Sequence, residues 1–449
     1  MTRPVAAVIL AAGMGTRMKS DLHKVLHPIA GRPMLMHLLA SVDTLAPAAK
    51  VVVVGARREQ VEAAVAGTGA AVVTQEPQLG TGHAVMQAEG ALAGFDGDVL
   101  VMFGDVPLVK PETMHAMLTA LADEDVACVV LGFRPDDAAA YGRIIARPDG
   151  VIEKMVEFKD ASTIERHVTL CNSGLLAVRS QDLWPLLARV GNDNAAGEYY
   201  LPDVVTIAAA DGRRSVVVET AADEVDGINS RAELARVEAK WQAAKRLEMM
   251  AAGVTLIDPA TVWFAHDTRV GRDVVIEPSV FFGPGVTVAD GANIRAFSHL
   301  EGANVGPKAE VGPYARLRPG ANLGEKSKVG NFVEVKKATL GKGAKVNHLT
   351  YIGDADIGAS ANVGAGTITC NYDGFFKYRT VVGEGAFIGS NSSLVAPVTI
   401  GAGAIVAAGS VVTRDVAADA LALVRPAQSE KPGWAAKFRA AMTAKKKAT

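Results

Sequence analysis

The chain has 449 residues, 49% apolar and 21% charged, with 46 Lys and Arg against 48 Asp and Glu and a formal net charge of −2. At about 150 residues per domain this length points to two or three domains, and the charge balance excludes both a disordered polyelectrolyte and a basic nucleic-acid binder that works by neutralising phosphates. Three widely separated cysteines, Cys128, Cys171 and Cys370, with no C-x-x-C, exclude a disulfide scaffold and a thiolate zinc site and fit a reducing cytoplasmic compartment.

Arg3 followed by the apolar run Val5–Ala12 has a faint look of a signal peptide, but the run passes directly into Gly13-Met14-Gly15-Thr16-Arg17 and reads as a buried first strand. No apolar run approaches the roughly 18 residues of a membrane span, so no membrane partner is expected. Further runs at Val51–Val54, Ala71–Val73, Val99–Phe103, Ala127–Leu131, Leu175–Val178 and Ser215–Glu219 alternate with helical stretches at Met34–Leu45, Arg58–Ala66, Gly82–Ala93 and Pro111–Leu121. Alternation of this kind predicts an α/β, Rossmann-like domain over residues 1–229, with a mostly parallel sheet covered on both faces and ligands beyond the carboxyl ends of its strands.

Glycine then marks a change of architecture: 20 copies lie in residues 1–230, none in 231–252 and 24 in 253–412. The glycine-free bridge, residues 230–252, opens on Ser230-Arg231-Ala232-Glu233, a capping-box pattern. It spaces Leu234, Val237, Trp241, Ala244 and Leu247 three or four residues apart, which predicts a linker helix capped at Gly253. Beyond it, aliphatic residues recur every six at Val305, Val311, Leu317, Leu323, Val329 and Val335. After five-residue steps come Leu340, Val346 and Ile352, then Ile357 and Val363, and later Ile388, Leu394, Ile400, Val406 and Val412. A period of six fits neither a helix nor a plain strand; it builds a parallel β-helix of hexapeptide repeats over residues 253–430. Residues 258–300 keep the repeat only loosely, and Thr367–Thr380 interrupts it with Asn371-Tyr372-Asp373-Gly374, read as an outward loop. Residues 431–449 form a C-terminal tail whose Lys445-Lys446-Lys447 is expected to be solvated and frayed.

The first strand opens into Leu10-Ala11-Ala12-Gly13-Met14-Gly15-Thr16-Arg17-Met18, followed by Lys24. This is neither a dinucleotide fingerprint nor a P-loop. Glycines still let backbone N–H groups approach phosphate oxygens, and Arg17 and Lys24 supply countercharge. Val99–Phe103 ends in Gly104-Asp105, a carboxylate where such sheets bind ligands, and Mg²⁺ needs only one or two of these.

These motifs resemble the signature of sugar-1-phosphate nucleotidyltransferases. Gln75 with Leu79-Gly80-Thr81-Gly82-His83-Ala84, Gly104-Asp105-Val106-Pro107, Tyr141-Gly142-Arg143, Glu157-Phe158-Lys159-Asp160, Asn172-Ser173-Gly174, Gly197-Glu198-Tyr199-Tyr200 and Gly227-Ile228-Asn229 follow in that family's order. Phe103 and Ser173 stand where the family commonly has tyrosine and threonine. With the β-helix behind them, residues 5–430 resemble the bacterial bifunctional N-acetylglucosamine-1-phosphate uridylyltransferase and glucosamine-1-phosphate acetyltransferase family. The resemblance implies that the β-helix coils left-handed and that three chains assemble as a homotrimer with acetyl-transfer sites between subunits.

It also implies roles. Leu10, Ala11, Ala12, Gly13, Gln75, Gly80, Thr81 and Gly104 would hold UTP, with Arg17 and Lys24 on its phosphates. Gly142, Glu157, Asn172 and Asn229 would contact the N-acetylated sugar, and Asp105 with Asn229 would hold Mg²⁺. In the β-helix His348 would be the base, with Arg318, Lys336, Tyr351 and Asn362 around the sugar phosphate. Ala365, Asn371, Tyr372, Ser390, Ala408 and Arg425 would hold acetyl-CoA. The residue types suit the chemistry: a sugar phosphate at pH 7 is already a largely dianionic nucleophile, whereas an ammonium acceptor needs a base such as neutral histidine. Cys370 has no role in a direct transfer.

Two other readings stay open on the residues: a nucleotidyltransferase for another sugar phosphate whose β-helix only assembles it, and a non-catalytic scaffold subunit. The set His348, Lys336 and Asn371-Tyr372 argues against the first, and Arg17, Lys24, Asp105 and Asn229 against the second.

Overall fold

A computed structural model describes residues 3–138, 141–194 and 196–448. The chain divides into two compact units, Met1–Ala244 and Lys245–Thr449, and the division falls inside one helix.

In the first unit, β1 (Val5–Ala11), β2 (Ala49–Val54), β3 (Ala71–Thr74), β4 (Asp98–Phe103), β5 (Val126–Phe133), β6 (Arg143–Ala146), β7 (Ile152–Val156), β8 (Cys171–Arg179) and β9 (Arg214–Thr220) form one sheet. Its main path runs β9-β5-β8-β4-β1-β2-β3. The pairings are parallel except where β8 runs against β4, β5 and β6 and where β6 meets β7. Continuous apolar strands such as Val51–Val54 are buried on both faces, as a covered parallel sheet requires. In β1, Ala7, Ile9 and Ala11 enter one core, and Ala6, Val8 and Leu10 the other.

The helices are α1 (Met34–Asp43), α2 (Arg58–Val65), α3 (Thr81–Met86), α4 (Pro111–Leu121), α5 (Ser180–Leu187) and α6 (Asp203–Ala210). α1 buries Leu35, Leu38, Leu39 and Val42 at helical spacing. The stretch Gly82–Ala93, expected as one helix, breaks into α3 and a separate 3₁₀ turn at Gly90–Leu92, where glycine weakens helix continuation. The β6–β7 pair, α5 and α6 are additions to the expected elements; each is short, and α5 carries an internal proline, Pro185.

α7 (Arg231–Ala251) is the linker helix. Leu234, Val237 and Trp241 pack with Ile29, Met34 and Ile228, while Leu247 is exposed. Gly253 follows at φ +95°.

The second unit is a parallel β-helix with three sheets of ten, eight and eight strands, most only two or three residues long. Every aliphatic position of the six-residue repeat is buried, from Val305 to Val412. Successive coils align Ile276, Ile294, Val311, Val329, Val346, Val363, Ile388 and Val406 in one inward column. The loosely patterned residues 258–300 form regular coils as well. Ile276, Phe282, Val288, Ile294 and Leu300 keep the spacing of six, with Phe282 stacked on Phe264 at 5.2 Å where aliphatics stand elsewhere.

Asn371–Tyr378 leaves the coil as expected, an outward loop closed by Tyr378 N–H on Asn371 O at 2.9 Å. Asp373 Oδ1 accepts from Phe375 and Phe376 N–H at 2.8 and 2.6 Å. The tail differs from its expectation: Trp434–Ala448 is an exposed helix, α8, as its alanine and lysine content favours. Among the described residues no helix is long and apolar enough to cross a membrane.

Candidate functional site

In the first unit, Leu10, Ala11, Ala12, Gly13, Lys24, Gln75, Gly80, Thr81 and Asp105 line one cleft of about 360 Å³ at the carboxyl ends of β1, β3 and β4. Gly80 turns at φ +109°, where an added Cβ would lie 2.6 Å from Tyr199 O. Tyr199 N–H donates to Leu79 O and Gly82 N–H to Tyr199 O, both at 2.8 Å, which clamps this rim. Gly104 N–H donates to Leu10 O at 2.9 Å and continues the β4 pairing to the cleft. Arg17 stands exposed on the turn Thr16–Met18 at the edge of the glycine loop.

Lys24 reaches across the floor. Its Nζ lies 2.5 Å from Asp105 Oδ2 and 3.1 Å from Asn229 Oδ1, so two hard oxygens converge where a cation already sits. Gly15 makes this approach possible, because a Cβ there would lie 2.6 Å from Lys24 Cβ. Asn229 is set by the start of α7: Glu233 Oε2 accepts from Asn229 N–H at 2.6 Å, and Glu233 N–H donates to Ser230 Oγ at 3.3 Å. The capping pattern therefore also aims a site residue.

Gly142, Glu157 and Asn172 line an adjoining crevice with Tyr200 and Asp203. Asn172 N–H donates to Gly142 O at 2.9 Å. Burial first, then Asp160 and Asp203, push the Glu157 carboxyl above its ordinary range. Phe103 fits against Gly174, where a Cβ would lie 2.6 Å from the ring, and Ser173 Oγ donates to Leu131 O at 2.7 Å, as a threonine hydroxyl would.

In the β-helix, Arg318, Lys336 and Tyr351 belong to one wall, and His348 and Asn362 to the next. His348 pairs in register with Asn331, whose Oδ1 lies 2.7 Å from His348 Nδ1. That bond places the ring proton on Nδ1 and leaves Nε2 as the basic nitrogen. Arg318 donates to Glu334 Oε1 at 2.8 Å. The Lys377 ammonium, brought back by the loop, holds the Lys336 pKa below the usual lysine range; two cations this close suit a phosphate dianion.

Asn371, buried at the loop's base, donates to Asp354 Oδ2 at 2.5 Å, while Tyr372 is exposed. Ala365, Ser390, Ala408 and Arg425 follow one another up the coils. Asn391 N–H donates to Ala365 O at 2.7 Å, Gly409 N–H to Ser390 O at 2.8 Å, and Arg425 Nη1 to Ala408 O at 2.8 Å.

Residues outside the expected set join these constellations. Gln78 lines the cleft and donates to Ala12 O, Tyr200 and Asp203 line the crevice, and Asn331 and Lys377 serve the second constellation. The signal for Asn331 was present, since it lies one coil, 17 residues, before His348.

Residues 7–149 match the family model described as MobA-like NTP transferase domain, and residues 379–414 match bacterial transferase hexapeptide (six repeats). The chain is 71% identical over 447 residues to the bifunctional protein GlmU of Rhizorhabdus wittichii, with 99% of each chain covered. It is 66% identical over 449 residues to that of Sphingopyxis alaskensis, covering 100% of this chain and 99% of the other. Against that of Zymomonas mobilis it is 60% identical over 440 residues, covering 97% and 98%. One polypeptide thus carries a nucleotidyltransferase and a hexapeptide-repeat acyltransferase, and the chain belongs to the bifunctional GlmU family.

Proposed function

We infer that the chain makes UDP-N-acetylglucosamine, a precursor for peptidoglycan and lipopolysaccharide, in two steps. The β-helix unit transfers acetyl from acetyl-CoA to glucosamine-1-phosphate, and the first unit transfers uridylyl from UTP to the product. The observation that carries the reading is that each unit presents the groups one step needs: Lys24, Asp105 and Asn229 converging in the cleft, and, in the β-helix, His348 oriented by Asn331 together with the paired cations Lys336 and Lys377.

In the first step His348 Nε2 takes a proton from the ammonium, and the freed amine attacks the thioester carbonyl. Arg318, Lys336, Tyr351 and Asn362 hold the phosphorylated sugar, joined by Lys377. The Ala365 N–H meets the oxyanion, and CoA leaves as the thiolate from its seat along Asn371, Tyr372, Ser390, Ala408 and Arg425, taking up the second proton that the acylated nitrogen gives off.

In the second step a phosphate oxygen of N-acetylglucosamine-1-phosphate attacks the α-phosphorus of UTP, and pyrophosphate leaves. Leu10–Gly13, Gln75, Gly80, Thr81 and Gly104 seat the nucleotide; Gly142, Glu157, Asn172 and Asn229 seat the sugar. Arg17 and Lys24 neutralise the charge that moves onto the leaving group, so positioning and electrostatics supply the rate. Asp105 and Asn229 offer oxygens of the kind Mg²⁺ prefers, and the bound ion would neutralise phosphate charge. The enzyme works in the cytoplasm as a homotrimer.

The test supplies glucosamine-1-phosphate, acetyl-CoA, UTP and Mg²⁺ and follows thiol and sugar nucleotide. Both should appear, with thiol released even when UTP is omitted. Pyrophosphate release without any thiol release would leave a nucleotidyltransferase whose β-helix only assembles it.

A further inference from the structure

Gln75 is 4% exposed and ends at the nucleotide cleft. Its Nε2 lies 2.9 Å from Gly80 O and 3.2 Å from His83 Nδ1. A backbone carbonyl can only accept, so the first contact fixes which end of the amide is nitrogen. The second hydrogen then points at His83, whose Nδ1 accepts it. Both donors are consumed on the protein side, and Oε1, which accepts no hydrogen bond from the described residues, is what the amide offers a base. His83 is held in turn: it lies in α3, whose start is pinned by Gly82 N–H on Tyr199 O, and its backbone carbonyl accepts from Gln87 Nε2 at 3.0 Å; with Nδ1 accepting from Gln75, the neutral ring carries its proton on Nε2.

We propose that His83 is a positioning residue for base selection: by accepting the second Gln75 hydrogen it keeps Gln75 an acceptor toward the nucleotide. The proposal rests on the reading of this cleft as the UTP site. An acceptor there matches the N3–H of uracil; cytosine presents a lone pair at the same atom and is repelled. With Gly80 O as its only partner, the amide can pivot about that single bond and swing its free N–H toward the base, where it would pair with cytosine N3.

The experiment measures kcat/KM for UTP and for CTP in the full-length enzyme and in His83→Leu and His83→Asn. Each CTP-to-UTP ratio is taken within one preparation, so partial misfolding cancels. His83→Leu should raise the ratio by about tenfold or more, the worth of one misdirected hydrogen bond. His83→Asn, whose side-chain oxygen can accept in place of Nδ1, should stay within about twofold of the wild type. An unchanged ratio in His83→Leu, or equal relaxation in both variants, would overturn the positioning role while leaving the nucleotide reading intact. Wild-type enzyme that uses UTP no better than CTP would overturn both.

Discussion

The Lys24 ammonium stands 2.5 Å from Asp105 Oδ2, with both side chains largely buried, at 11% and 17% exposure. The two residues are 81 positions apart, and Asn229, 205 positions from Lys24, completes the cluster. Asp105→Asn removes the one formal negative charge of that oxygen pair. Uridylyl transfer should fall at least about 100-fold, while thiol release from acetyl-CoA stays within about twofold. Chelation with EDTA should divide the two activities in the same way, and loss of both together would refute the separation.

Asn331 and His348 are the corresponding pair on the β-helix. His348→Ala should lower acetyl transfer by about 100-fold or more, the usual contribution of a general base. Asn331→Leu removes only the group that orients the ring, so it should cost about tenfold in kcat with little change in KM for glucosamine-1-phosphate. A loss in Asn331→Leu as large as in His348→Ala would mean that Asn331 itself touches substrate.

Gly80→Ala tests the clamp on the nucleotide rim. The added Cβ would meet Tyr199 O at 2.6 Å and Tyr199 N at 2.8 Å, at a φ of +109° that side chains avoid. Destabilisation of the first unit by about 2 kcal/mol is expected, with a raised KM for UTP. Urea unfolding of the variant, read together with UTP titration, checks both.

His23 is 3% exposed and neither ring nitrogen has a hydrogen-bond partner among the described residues. Burial first, then Lys24, Arg57 and His27, lower its pKa from 6.5 to about 4. The unfolded chain therefore takes up this proton near pH 6.5, well before the folded chain does. The stability it supports is complete above that value and is lost as the pH falls toward about 4. His23→Phe should flatten the decline in urea midpoint between about pH 7 and pH 5. An equally steep decline in the variant would assign the effect to other groups.

Leu317 is fully buried in a column with Leu300 and Val335. Leu317→Ala should cost about 2–5 kcal/mol and shorten the half-life of acetyl transfer on heating. Uridylyl transfer belongs to the other unit and should survive. Differential scanning calorimetry with the two assays run on the heated samples would separate the outcomes.

Much of the architecture was legible along the chain because burial leaves a local period. Continuous apolar runs marked β1, β2, β4 and β5, and the six-residue spacing from Val305 to Val412 marked inward positions that are all buried. Short elements such as α5 and α6 span too few turns to declare a period, and the first coils were obscured because Phe264 and Phe282 replace aliphatics. The nucleotide loop could be read from its glycines. The meeting of Lys24 with Asp105 and Asn229 could not, because it depends on β1 lying beside β4 and on the α7 cap turning Asn229 inward. Likewise His348 was visible as a residue, whereas its pairing with Asn331 and the approach of Lys377 to Lys336 arise from coil stacking and loop return. Sequence alone determined which faces are buried and which residue types are available; the tertiary structure decided which of them converge, since convergence is set by the stacking of strands distant in the chain and leaves no local periodic signature.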